Sequence, residues 1–288
     1  MKAVKHLIPA TDINMGGIIV KQALPTMKVK QVDPFLLLHH GTFTFRDDAP
    51  ARHQGIGPHP HRGFTPVTFV IEGEVHHRDS RGHNQIAKAG EVQWMHAGAG
   101  IIHSERPSEA LVKKNGTQEI IQLWINSPKA SKMKPPQYQY NTESEITKWH
   151  SKDGSILNKL IAGKYADLQG KIKPESDLLV IWSSAQSEAA DSYSLPEGYS
   201  TMLYLIKGKI SIKGYGPIEG KQLVVFDKDS SGNLTIESKE SSQYIILTGA
   251  PIKEKIVQQG PFVMNSETEI LEAMRDYQMG KMGILIED

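Results

Sequence analysis

The chain has 288 residues, 39% hydrophobic and 23% charged, with 33 lysines and arginines against 32 aspartates and glutamates. That near-balance leaves no electrostatic footprint for direct nucleic-acid binding, and the absence of cysteine excludes disulfides, thiolate catalysis and thiolate metal ligands. No run approaches the roughly 18 apolar residues of a membrane span, and the first twenty residues hold no signal-peptide core, so no membrane association and a cytoplasmic location are expected.

Taken in chain order, short apolar runs dominate: VTFVI (67–71), EIIQLWI (119–125), LLVIW (178–182), MLYLI (202–206), QLVVF (222–226) and YIILT (244–248). Gly, Asp, Asn and Pro punctuate them at short intervals, the pattern of a β-sandwich or barrel. Residues 126–155 break the series with Pro, Ser and Lys, which places a domain boundary near 145. One helix is predicted, near the end. Ser266 and Glu269 form a capping-box pattern, Ile270, Leu271, Met274 and Tyr277 follow at helical spacing, and Gly280 supplies a stop.

An internal repeat organises the rest. GFTPVTFVIEGEVHHR (63–78) aligns without gaps to GYSTMLYLIKGKISIK (198–213), matching Gly63 to Gly198 and Gly73 to Gly208. At the same offset His59 falls on Ser194 and His61 on Pro196, so the second copy lacks the imidazoles of the first. Of 12 histidines, only His150 lies beyond residue 103.

In an extended strand, residues i and i+2 face the same way. His59-Pro60-His61 therefore presents two imidazoles to one side, and His103-Ser104-Glu105 presents an imidazole and a carboxylate. Two such strands would build a three-His, one-carboxylate site inside a small barrel, with nitrogen and oxygen ligands suited to Fe, Mn, Ni, Cu or Zn. An exposed histidine-bearing rim is the alternative.

HPHRGF with VTFVIEG, followed by GEVQWMHAGAGIIHSE, resembles the two ligand motifs of the cupin superfamily as the pirin family spells them. DPFLLL (33–38), QLWINSP (122–128), KMKPPQYQ (132–139) and GPFVMN (260–265) resemble further pirin segments, in order, over nearly the whole chain. The resemblance implies an all-β chain of two tandem cupin-type β-barrels, a jelly-roll bicupin with a short C-terminal helix. Residues 1–145 would form the metal-binding domain, and 146–288 a metal-free domain carrying the helix. It implies one divalent transition metal, usually Fe(II), held by His59, His61, His103 and Glu105.

The implied activity is that of a quercetin 2,3-dioxygenase-like oxidoreductase, opening a flavonol-type aromatic substrate with O2. Glu105 would be the catalytic base, with Phe64, Trp94 and Met95 as apolar pocket wall or, equally, ordinary core. The family's alternative role is a non-enzymatic metal-binding regulator docked on a transcription regulator or metabolic enzyme. A monomer is expected, because each barrel already has a partner within the chain.

Two departures from the family pattern stand out. Thr65-Pro66 follows HRGF where many pirins carry Glu-Thr, and Pro66 should mark a strand start or edge. His39-His40 follows DPFLLL where an acidic residue is common, and either side chain could face the metal cavity or a solvated loop. His76 and His77 should point to opposite faces of a strand, outside the ligand set. His96 is a candidate for the entrance of the site.

Overall fold

The computed structural model describes residues 1–287 and divides into two compact units. One comprises residues 1–36 and 144–252; the other runs from 37 to 143 and resumes at 253. The boundary at 143/144 lies beside the break read at 145, while both terminal segments group with the opposite half from the one a single cut would give them.

The unit containing residues 37–143 is built from two facing sheets. In the larger sheet its strands run in the order Gln137–Asn141, Val92–His96, Phe64–Glu72, Thr117–Asn126 and Phe35–Thr44. The smaller has the order Ile56–His61, Ile101–Arg106, Glu74–Asp79 and Asn84–Lys88. Val70 and Ile120 from the larger sheet pack on Val75 and Ala87 from the smaller.

The other unit repeats the plan. Its larger sheet runs Val4–Pro9, Gln222–Phe226, Ser200–Lys207, Ser242–Gly249, Leu178–Ala185, Ile156–Ala162 and Thr147–His150. Four strands face it, in the order Ala190–Tyr193, Leu234–Ser238, Lys209–Ile212 and Gly216–Glu219.

The expected pair of closed barrels is therefore corrected: among the described residues each sheet is open, and the architecture is a β-sandwich plan used twice. The reason lies in the repeated glycine turn. Strands Phe64–Glu72 and Glu74–Asp79 are consecutive yet do not pair with each other; the first joins the larger sheet and the second the smaller. Gly73, at φ +75°, turns the chain across the sandwich, and its counterpart Gly208, at φ +89°, does the same. A Cβ on Gly73 would stand 2.2 Å from the Thr117 carbonyl oxygen, so only glycine fits this corner.

In the unit that resumes at 144, side chains fill the interior. Leu160, Leu179, Ile181, Leu203, Leu205 and Ile246 are each no more than 2% exposed. A buried polar knot joins them: the Tyr193 and Tyr244 hydroxyls lie 2.7 Å apart, and Tyr193 and Ser183 both donate to Asn158 Oδ1, at 2.9 and 2.6 Å. These groups satisfy one another, so the knot holds without solvent.

The helix forms at Glu267–Gln278 with both halves of its capping box: Glu269 N–H donates to Ser266 Oγ, and Ser266 N–H to Glu269 Oε2. Its buried face is Ile270 and Ala273, packed on Ile102, Phe262, Met264 and Met282. Leu271 is 65% exposed, so the apolar face sits a step away from the one read from spacing. Ile102 precedes His103 and pairs with Pro60, so it points away from the histidines and the helix lies on the back of the small sheet.

Candidate metal centre

The two histidine motifs fall on neighbouring antiparallel strands of the small sheet, Ile56–His61 and Ile101–Arg106, with His103 opposite His59 and Ile101 opposite His61. The register slips between His103 and Glu105, so Glu105 pairs with Ile56 rather than Gly57. The inward faces carry His59 and His61 on one strand and His103 and Glu105 on the other.

The ligand nitrogens of His59, His61 and His103 all lie within 4.8 Å of one another, the one such group among the described residues. His59 Nε2 and His61 Nε2 are 3.1 Å apart, and His59 Nδ1 lies 2.8 Å from the Gly57 carbonyl, which fixes its proton there and leaves Nε2 free to ligate. His61 and His103 are 2% exposed. Burial, reinforced by neighbouring imidazoles, holds both well below the usual histidine range, and neutral imidazole is the ligating form. His103 Nε2 is buried with no hydrogen-bond partner. Three converging imidazoles with an orphaned inward nitrogen fit a divalent transition metal.

Glu105 stands outside this tight group. Thr68 Oγ1 donates to its Oε1 at 2.9 Å and Gln122 Nε2 to its Oε2 at 2.8 Å, while Trp124 Nε1 donates to Gln122 Oε1 at 3.3 Å. Each carboxylate oxygen keeps a further lone pair for a metal or a proton.

The wall residues separate by strand parity. Phe64 packs on His61 at 5.0 Å between ring centroids. Met95 pairs with Tyr138, whose ring stacks on His77 at 4.4 Å, so both share the interior face. Trp94 pairs with Val67 and thus points to the opposite face from Thr68, away from the histidines. Trp124, which sequence reasoning passed over, lies 5.4 Å from His61 and 4.4 Å from Phe64. Its place on the Glu105-Gln122 face follows from pairing with Pro66.

Thr65 lies on the far face of its strand from Thr68, with Oγ1 3.2 Å from His96 Nδ1. The Thr-for-Glu departure therefore leaves the Glu105 face unchanged. Pro66 is the third residue of the strand, and the ladder to Val92–His96 begins only at Val67. His96 is 1% exposed and bonded to the Ser131 carbonyl, not at an entrance. His39 and His40 are buried in Phe35–Thr44 rather than in a loop; burial takes His39 down to about 4, and His40 Nε2 meets Glu119 Oε1 at 2.7 Å. His76 and His77 do alternate: His77 is 2% exposed, whereas His76 turns out to Asn84.

The turn after His61 is held from behind. A Cβ on Gly63, at φ +84°, would meet the Val263 carbonyl oxygen at 2.0 Å. Lys132 Nζ donates to the carbonyls of Gly63 and Val263, at 2.7 and 2.9 Å, and to Asn126 Oδ1 at 2.7 Å. Burial pulls this lysine down to about 8.

Comparison with known proteins decides the family. The profile described as Pirin matches residues 17–125, and that of the Pirin C-terminal cupin domain matches 183–283. The chain belongs to the pirin family. This pirin is 36% identical over 253 residues, 88% of its length and 87% of the other's, to a Pseudomonas aeruginosa protein provisionally named a quercetin 2,3-dioxygenase. It is 31% identical to human Pirin over 93% of its length and 89% of the relative's. The crystal structure of quercetin 2,3-dioxygenase from Acinetobacter baumannii superposes with a TM-score of 0.90 at 33% identity, covering 99% of this pirin and 100% of that chain. It is thus a pirin-like cupin protein related to proteins named as quercetin 2,3-dioxygenases, with a three-histidine metal site. Among the described residues no helix is long and apolar enough to cross a membrane.

Proposed function

We propose that this pirin is a metal-dependent dioxygenase acting on flavonol-type aromatic substrates, with Fe(II) as its metal. The observation that carries the reading is one interior in which three converging imidazoles and a carboxylate on the small sheet look across at an aromatic pair on the larger. His59, His61 and His103 hold the metal, with Glu105 as its carboxylate neighbour. When bound, the metal supplies Lewis-acid polarisation of substrate oxygens and a redox partner for O2. Phe64 and Trp124, 4.4 Å apart, offer π faces to a flat ring system. Glu105 takes the hydroxyl proton of the enolic substrate on a carboxylate oxygen, and the Thr68 and Gln122 bonds keep that carboxylate aimed. The buried strands around it keep bulk water from the reacting oxygens.

The test is an anaerobic Fe(II) reconstitution, addition of quercetin, then admission of air while flavonol absorbance and O2 are followed together. Coupled loss of both signals, abolished by Glu105→Gln and by His61→Ala, is expected. Metal-loaded protein that consumes no O2 across a panel of flavonols would overturn the reading.

A further inference from the structure

Behind the ligand set lies a chain of polar contacts that the proposed reaction does not use. His103 Nδ1 stands 3.4 Å from His77 Nδ1, His77 Nε2 stands 3.0 Å from Asp79 Oδ2, and the same oxygen is 2.8 Å from His83 Nδ1. His77 and Asp79 are 2% and 3% exposed, while the His83 side chain is 41% exposed. Asp79 Oδ1 accepts the Arg81 and His83 backbone N–H groups at 2.9 and 3.2 Å, so the carboxylate cannot swing away. Tyr138 stacks on the His77 ring with planes only 16° apart.

The proton positions along this chain follow from donor and acceptor roles. A carboxylate only accepts, so His77 carries a proton on Nε2, and its single-proton tautomer presents Nδ1 as an acceptor. His103 then donates from Nδ1, and its Nε2, the atom left without a partner, keeps a lone pair. We infer that Asp79 and His77 are positioning residues that lock His103 in its metal-ligating tautomer, a carboxylate–imidazole–imidazole relay of orientation. This extends the three-histidine reading above and rests on it; it does not depend on the substrate.

Asp79→Asn is the informative change. Asparagine keeps an oxygen for the Arg81 and His83 N–H groups but turns an amide donor toward His77. His77 would then accept at Nε2 and carry its proton on Nδ1, facing His103. That forces the His103 proton onto Nε2, where the metal belongs. His77→Phe preserves ring volume and the Tyr138 stack while removing both nitrogens; Asp79 loses its His77 hydrogen bond but keeps the His83 side chain and the Arg81 and His83 backbone N–H groups.

The experiment is an anaerobic competition titration of the full chain with Fe(II) and a chromophoric chelator, with the melting temperature of the metal-free protein recorded alongside. Asp79→Asn is expected to weaken Fe(II) binding about 10- to 100-fold and His77→Phe about 10-fold. The metal-free melting temperature should stay near the parent's for Asp79→Asn and fall for His77→Phe, which takes a hydrogen bond from buried Asp79. In the His77→Phe background, Asp79→Asn should have no added effect, because the carboxylate acts through His77. His76→Ala, on the outer face, should bind as the parent does. Affinity within about twofold of the parent for Asp79→Asn, or a full Asp79→Asn effect surviving in the double variant, would overturn the inference. Parent protein that binds no Fe(II) would instead sink the three-histidine reading, and binding without turnover would sink only the dioxygenase reading.

Discussion

Arg62 and Asp276 meet at 3.0 Å, joining the residue that follows His61 to the C-terminal helix. Their side chains are 5% and 15% exposed, and Arg62 Nε also donates to the Ala99 carbonyl at 2.7 Å. On the second ligand strand Arg106, next to Glu105, is bound to Glu287 at 2.7 Å. Each ligand strand is thus tied through its neighbouring arginine to the C-terminal segment.

Removing Asp276 leaves a buried guanidinium without its carboxylate. Asp276→Ala is expected to lower stability by about 2 kcal/mol in chemical denaturation. By contrast, the solvent-exposed pair Lys21–Asp12 should yield less than about 0.5 kcal/mol on the same substitution at Asp12. Equal losses would show that burial of the Arg62 pair is irrelevant.

The same carboxylates set an acid limit. The Lys281 hydrogen bond, with Arg62, holds Asp276 below its usual value against the opposing effect of burial. At Glu287 burial is the largest influence and pushes upward, but the hydrogen bonds from Arg106 and Ser104 together with the charges of Arg106 and Arg78 outweigh it, and the group also lies low. Folded values below unfolded ones mean that the stabilisation is complete above the unfolded carboxylate range, about pH 4, and disappears as pH falls through the folded values. The stability gap between the parent and an Asp276→Asn, Glu287→Gln double variant should be flat above about pH 5 and close below it. A gap that widens in acid would contradict the ion pairs.

Lys132→Met should be more damaging than its single charge suggests. The substitution orphans three buried oxygens, those of Gly63, Asn126 and Val263, and is expected to cost about 3 kcal/mol or more. Thermal melts of the metal-free protein measure it.

Trp124→Ala removes an aromatic wall while leaving every metal-holding side chain in the sequence. KM for a flavonol should rise about 10-fold while Fe(II) affinity stays at the parent level; a kcat-only effect would place Trp124 elsewhere in the cycle.

The three-histidine cluster is legible in sequence because its signal is local. Alternation within His59-Pro60-His61 and His103-Ser104-Glu105 needs only strand geometry, and the offset that pairs Gly73 with Gly208 needs only a ruler. What escaped depends on pairing across strands. Trp94 and Trp124 look alike in sequence, and only the registers with Val67 and Pro66 tell which one faces the histidines. Likewise Gly73 announces a turn, but not that the turn crosses between sheets instead of making a hairpin, which is why closed barrels were expected and open sheets found. Parity says that only one of His76 and His77 can point inward, and nothing local reveals that the inward one, His77, stands against His103.

The interleaved units carry a consequence for how the molecule comes into being. As a ribosome delivers the chain, residues 37–143 emerge with all three ligating histidines, yet the helix and the carboxylates of Asp276 and Glu287 that brace them come more than a hundred residues later. Through that interval the back of the ligand sheet, with Ile102 upon it, waits uncovered. Metal capture during synthesis would therefore meet a looser, more exchangeable centre than the finished protein offers, and a fragment ending at residue 145 would inherit that looseness permanently.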